Sequence, residues 1–208
     1  MAVKDAEKLD LYKMYKHEYA APGEPTLIHV GRGDYLVASG RGAPGGQLFQ
    51  ARVGALYGMA YTLKFESKSA GRDFAVSKLE GLYGVDGQSF ERFLELPAEE
   101  WNWRLAIRVP DFLGREHLEQ ARATLRDRRK PGDWSVVSLD AFDEGECVQM
   151  LHVGPYREEA RTLEAMRVYA RSRGLAPALW HHEIYLSDPR RVPARKLRTI
   201  LRQPVRAA

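Results

Sequence analysis

The sequence predicts an α+β fold: a duplicated sheet of two strand–turn–helix–strand units, with helices on one face and a ligand cleft on the other. Three observations carry that prediction. Short apolar runs bounded by glycines alternate with two long amphipathic segments, and a strand–turn–helix–strand order occurs twice along the chain. Laying Leu36 on Val148, an offset of 112 residues, also matches Gly42 with Gly154 and Tyr57 with Tyr169 without a gap.

Residues 1–24 are expected to be a mostly polar lead-in packed on the rest, with a Tyr/Lys cluster from Leu11 to His17. Pro25–Val30 and Tyr35–Gly40 read as strands, and Gly40–Gly46 as a turn containing Pro44. From Gln47 to about Lys68, Phe49, Val53, Leu56, Ala60 and Leu63 recur at helical spacing, with Tyr57 and Tyr61 on an adjoining stripe. Phe74–Val85 and Trp101–Val109 read as two strands joined by a Glu-rich loop. Gly114–Lys130 reads as a surface helix of thin apolar content, ended by Pro131-Gly132. Cys147–Val153 is a strand, Tyr156–Arg173 a helix stopped at Gly174, and His181–Leu186 a strand leading to Pro189 and a basic helix. Residues 25–208 are thus expected to form one domain, with halves at about 25–112 and 134–208.

Composition narrows the function classes. With 208 residues, 44% hydrophobic and 29% charged, the chain is long enough to bury its own core. No apolar run approaches a spanning helix and the start lacks a signal-peptide core, so a soluble cytoplasmic protein without a membrane partner is expected. The single Cys147 excludes an internal disulfide and multi-cysteine metal sites. With no basic activator beside it, Cys147 reads as a buried small hydrophobe. The net charge of +4 is local: seven Lys or Arg and one Asp lie between Ser187 and Ala208, leaving −2 over residues 1–186. That run lacks interleaved aromatics and any helix-turn-helix, so it reads as a solvated helix face and no nucleic acid is expected. No Gly-x-Ser-x-Gly elbow and no P-loop occur.

Chemistry-bearing residues concentrate in the strand Trp180–Leu186. Alternation puts Trp180, His182, Ile184 and Leu186 on one face, read as the helix-covered core, and His181, Glu183 and Tyr185 on the other, read as open. A carboxylate between a phenol and an imidazole can orient a water or move a proton; alternatively Glu183 pairs with Arg104 or Arg108. His181 and His182 point to opposite faces and cannot chelate one ion, so neither metal nor cofactor is expected. Asp143-Glu144 and Glu158-Glu159 read as a loop and a helix start, both structural. Tyr57, Tyr61, Tyr83, Trp101, Trp103, Tyr156 and Tyr185 converge from several elements and suit a flat or lipophilic ligand. Alternation does not say which face of Trp101–Val109 lines the pocket.

The stretch His181–Arg190 followed by Leu197–Val205 resembles the C-terminal signature of the GyrI-like small-molecule-binding proteins. Ala55–Lys64, Leu79–Tyr83, Trp101–Phe112 and Val153–Tyr156 are similar too, in the right order. The resemblance implies the duplicated SHS2-type fold, an antiparallel sheet of two βαββ units around a pseudo-twofold axis with a hydrophobic ligand cleft. Its members include effector domains of multidrug-responsive regulators, gyrase inhibitors, and stand-alone proteins, some of them cyclopropanoid hydrolases. It places the pocket glutamate at Glu183 and its tyrosine partner at Tyr185, the expected catalytic pair. Trp103 and Tyr83 fall at pocket aromatics, with Tyr83 where relatives carry tryptophan. Tyr57, Tyr61, Tyr156 and His181 complete the expected ligand-binding set. The implied activity is water addition to the strained ring; the alternatives are non-catalytic binding of lipophilic cations and a gyrase-inhibitor-like interaction.

Overall fold

The computed structural model describes residues 8–85, 95–178 and 180–208. Among them nine strands make one antiparallel sheet: β1 (Thr26–Val30), β2 (Gly33–Arg41), β3 (Leu79–Gly84), β4 (Asn102–Val109), β5 (Ser138–Phe142), β6 (Gly145–Val153), β7 (Leu175–Pro177), β8 (His181–Tyr185) and β9 (Arg198–Ala207). Their order is β1-β6-β9-β8-β3-β4-β2-β5, with β7 pairing β9 off that path. Among the described residues five α-helices accompany them: α1 (Leu11–Met14), α2 (Lys16–Tyr19), α3 (Gln47–Ser69), α4 (Arg115–Asp127) and α5 (Glu159–Arg171).

The internal repeat is visible residue by residue. The shift of 112 carries β1 onto β5, β2 onto β6, and the first residue of α3, Gln47, onto the first residue of α5, Glu159. Gly42 and Gly154, matched by the same shift, both hold left-handed backbone (φ +120° and +142°) at the turn into the helix. β3 and β8 meet at the seam, with Gly81 directly opposite Glu183. Each half gives its first strand to the other: β1 pairs with β6, and β5 pairs with β2.

The register settles which face is which. Gly81 and Tyr83 of β3 share a face with Trp103, Leu105 and Ile107 of β4 and with Leu36 and Ala38 of β2. Phe49, Leu56, Met59 and Leu63 of α3 pack there in the main core. On the other half Val148 and Leu201 take Met166 and Ala170 of α5. Glu183 and Tyr185 belong to this same face, because Glu183 pairs with Gly81 and with Leu201. The expectation that they look away from the helices is therefore corrected.

The opposite face is not open. Residues 9–22 lie across it, with Tyr12, Tyr15 and Tyr19 against Ile184 and Ile200. Beneath them is a buried ionic network. Arg108 pairs with Glu18, the Tyr19 hydroxyl donates to Glu80 at 3.0 Å, and His182 sits between Glu80 (3.0 Å) and Glu144 (2.8 Å). Arg202 bonds Glu144 at 2.7 Å and Gln149 at 3.0 Å. Three carboxylates thus face two guanidiniums and an imidazole, so the charges are compensated where water is excluded. His182 is pushed up to about 9, burial being outweighed by Glu144 and Glu80.

Two further expectations are corrected. The basic run does not form a helix: Arg198–Ala207 is the strand β9, and Thr199, Ile200, Leu201 and Arg202 are all buried. Gly114–Lys130 is helical over Arg115–Asp127, but Leu118, Ala121 and Leu125 bury a narrow stripe in the main core beside α3. Part of the expected loop between β3 and β4 lies outside the described residues. Cys147 is buried, and burial raises its thiol well above the ordinary value. Among the described residues, no helix is long and apolar enough to cross a membrane.

Candidate functional site at the seam of the two halves

α3 packs on β2 and β4, and α5 on β6, β7 and β9, so β3 and β8 run beneath the interval between the helices. The seam of the two halves is the floor of that interval. Its central carboxyl is Glu183, with a side chain 14% exposed. The Tyr185 hydroxyl donates to Glu183 Oε2 at 2.9 Å, and the Tyr83 and Tyr185 hydroxyls lie 2.5 Å apart. A chain of three oxygens therefore crosses the seam.

Tyr83 reaches Tyr185 because position 81 is glycine. A Cβ on Gly81 would stand 2.8 Å from both Cε2 and the hydroxyl oxygen of Tyr83. The ring thus leans over Gly81 into the space beside Glu183. The edge of Trp101 meets Tyr83 at 6.2 Å between centroids, and Tyr156 meets Tyr185 edge-on at 5.9 Å. His181 Nε2 is 3.7 Å from Glu183 Oε1. His181 is brought down to about 3, chiefly by burial and then by the charge of His182, so its imidazole is neutral. Burial pushes Glu183 up to about 7 against the Tyr185 hydrogen bond and the His182 charge, which both favour the carboxylate.

Of the residues expected from sequence, Glu183, Tyr185, Tyr83, Tyr156 and His181 meet at the seam. Tyr57 and Tyr61 stand on α3, with ring centroids 6.2 Å apart, and Tyr61 is 48% exposed. Trp103 lies on the same face of the sheet but only 1% exposed: its ring covers Gly40, meets Phe49 edge-on and donates its N–H to Gly42 O at 3.0 Å. It supports the floor from within the core. Glu183 has neither arginine as a partner: Arg104 lies over Trp180, and Arg108 is bound to Glu18.

Sequence reading missed Glu159. It opens α5 after the turn Gly154–Glu158, which is tied down by His152: Nδ1 meets Thr162 Oγ1 at 2.9 Å and Nε2 meets Pro155 O at 3.3 Å. Glu159 is 8% exposed, and its Oε1 is buried without a hydrogen-bond partner. Burial and then Glu183 push it up to about 9. A pair of glutamates at a helix start carries no signal of this. Among the described residues, no group of three or more His, Cys, Asp or Glu is arranged to hold a metal ion.

No curated protein sequence matches the chain. The model of the GyrI-like small-molecule-binding domain matches residues 137–206, which run from the start of β5 into the end of β9. A solved structure of an uncharacterized conserved protein from Listeria innocua is 38% identical, with 96% of this chain and 100% of that one covered and a TM-score of 0.88. The chain belongs to the GyrI-like family. A second structure, described as a hydrolase from Listeria innocua, is also 38% identical over 96% of this chain and 100% of that one, with a TM-score of 0.85. The C-terminal domain of EcmrR shares the GyrI-like fold at 9% identity and a TM-score of 0.60, covering 89% of this chain and 98% of that one. The α+β class, the duplication and the antiparallel sheet expected from sequence are those of GyrI-like proteins. The chain is thus a GyrI-like small-molecule-binding domain.

Proposed function

We propose that the chain is a hydrolase that takes a flat lipophilic molecule between α3 and α5 and adds water to a strained three-membered ring conjugated to a carbonyl. The observation that carries this reading is Glu183: a buried carboxyl, held by Tyr185 at 2.9 Å and flanked by aromatic rings. With its value near 7, a large fraction is ionised at neutral pH, yet the carboxylate remains basic enough to take a proton from water. Water oxygen bonds to a ring carbon as its proton passes to Glu183, and the strained carbon–carbon bond opens toward the carbonyl. The Tyr83–Tyr185 pair orients the carboxylate, while Tyr156, Tyr57 and Tyr61 contact the body of the ligand and His181 lies beside Glu183. Trp103 acts as the rigid support below. The hydrolase among the relatives at 38% identity favours catalysis over simple binding. In this reading residues 25–208 work as one domain whose halves meet at the ligand, with 8–24 as its backing.

The test is mass-spectrometric product analysis with a cyclopropane-bearing alkylator in excess over wild type and Glu183→Gln. Addition of one water to more than one equivalent of alkylator, abolished in the variant, is the expected result. Recovery of intact alkylator from wild type overturns the hydrolytic reading. Saturable binding of a lipophilic cation, weakened in Glu183→Gln, would then identify a sequestering protein with Glu183 as counter-charge.

A further inference from the structure

A glutamate at the first position of a helix ordinarily lies in water, where it offsets the helix dipole. The duplication supplies the comparison. At the matching position of the first half stands Gln47, which is exposed. Glu159 is instead turned inward, nine-tenths buried, with Oε1 lacking a hydrogen-bond partner. Tyr156, three residues before Glu159, meets Tyr185 of β8 edge-on at 5.9 Å, and the groups whose charge registers with Glu159 are Glu183 of β8, Tyr83 of β3 and Tyr156 itself. His182, the cation nearest this group of residues on β8, belongs to the opposite face, held by Glu80 and Glu144. Arg161, on α5 itself, is bonded to Val153 O. Two carboxyls that share a water-poor space, beside phenols and the neutral imidazole of His181, do not both ionise at neutral pH.

We propose that Glu159 is the general acid of this site, the partner of Glu183 as general base. The inference rests on the hydrolytic reading above. As the water proton passes to Glu183 and the carbon–oxygen bond forms, the electron pair of the breaking carbon–carbon bond runs through the conjugated system to the carbonyl oxygen. That oxygen takes the proton of Glu159. One water is consumed, no electron is gained or lost, and the proton left on Glu183 restores Glu159 before the next turnover. The assignment narrows the substrate class to strained rings whose opening delivers charge to an oxygen, because a pure hydrocarbon ring gives Glu159 nothing to protonate.

Two measurements test it. Infrared spectroscopy of the free protein at pH 8 should show the C=O stretch of a protonated buried carboxyl, retained in Glu183→Gln and lost in Glu159→Gln. No such band in wild type, or its persistence in Glu159→Gln, overturns the assignment without touching the role of Glu183. With the alkylator as substrate, kcat should fall about 100-fold or more in Glu159→Gln. The rise of kcat/KM on the acid side should persist, and the fall near pH 9 should disappear. A variant as fast as wild type at every pH overturns Glu159's part alone. Absence of product from wild type overturns the hydrolytic reading and this one together. The amide has the shape and neutrality of the protonated acid, so the variant should fold.

Discussion

The phenolic oxygens of Tyr83 and Tyr185 lie 2.5 Å apart across the seam of the two halves, and the second of them donates to Glu183. One tyrosine comes from each repeat, so the orientation of the central carboxylate depends on both. Removing the Tyr185 hydroxyl in Tyr185→Phe takes away the hydrogen bond that favours the ionised form. Glu183 should then titrate higher, moving the acid limb of the kcat/KM profile upward by about one unit and lowering activity at pH 6 about tenfold. An acid limb that stays in place would show that the bond does not tune the carboxyl.

Gly81→Ala should disable the site while leaving the sheet assembled. The added methyl would meet the Tyr83 ring at 2.8 Å, which swings the ring away from Tyr185. A stability loss of about 1–3 kcal/mol is expected in urea titration. A fall in turnover larger than that of Tyr83→Phe should accompany it, since the ring as well as the hydroxyl is displaced.

Stability should peak near pH 5 and decline toward pH 9. Glu183 and Glu159 are raised to about 7 and about 9 from 4.5, so their contribution is complete below 4.5 and is lost as pH rises through those values. His182, raised from 6.5 to about 9, loses its contribution over the same upper range. Two groups act the other way: Glu144, lowered to about 2, and His181, lowered to about 3, lose theirs as pH falls. Thermal melts from pH 4 to 10 check this, with a fall in Tm of roughly 2–4 °C or more expected between pH 6 and 9. Glu159→Gln should lose less over that range, and a Tm that climbs from pH 6 to 9 would contradict the assigned protonation states.

Arg202 and Arg195 should respond very differently to substitution although both lie in the basic run. Arg202 bonds Glu144, Gln149 and the Glu18 carbonyl, and Arg202→Ala leaves Glu144 buried without that cation. A loss of about 3–5 kcal/mol is expected. Arg195 is exposed, and Arg195→Ala should change stability by less than about 0.5 kcal/mol. Equal losses in the two variants would mean that the ionic network contributes little.

The backbone plan was legible wherever local patterning agrees with the final environment. The strands at 26–30, 33–41 and 145–153 and the helix from Gln47 stand where glycine punctuation and periodicity put them, and the 112-residue shift is preserved in their boundaries. β9 was not legible, because a strand whose central arginine, Arg202, is neutralised by Glu144 from another element reads locally as part of a charged helix. Arg202 gives no hint in sequence that Glu144, 58 residues away, will meet it. The same kind of hidden partner misled the reading of faces. The polar set His181, Glu183 and Tyr185 reads as an open face yet lies on the side that carries the helices, whereas His182, read as helix-covered core, sits in the buried polar layer with Glu80 and Glu144. Glu159 escaped for a third reason: its significance lies in its depth, and depth is a property of packing.

The exchange of first strands gives the fold a particular assembly problem. β1 waits for β6, more than a hundred residues further along the chain, and β9 enters between β6 and β8 after both have been synthesised. Neither repeat can finish its own sheet and dock as a preformed piece, so closure is a late, concerted event of high contact order. Folding should therefore be slow, and a nascent chain that has reached β8 still exposes the bare edges of two central strands to its neighbours.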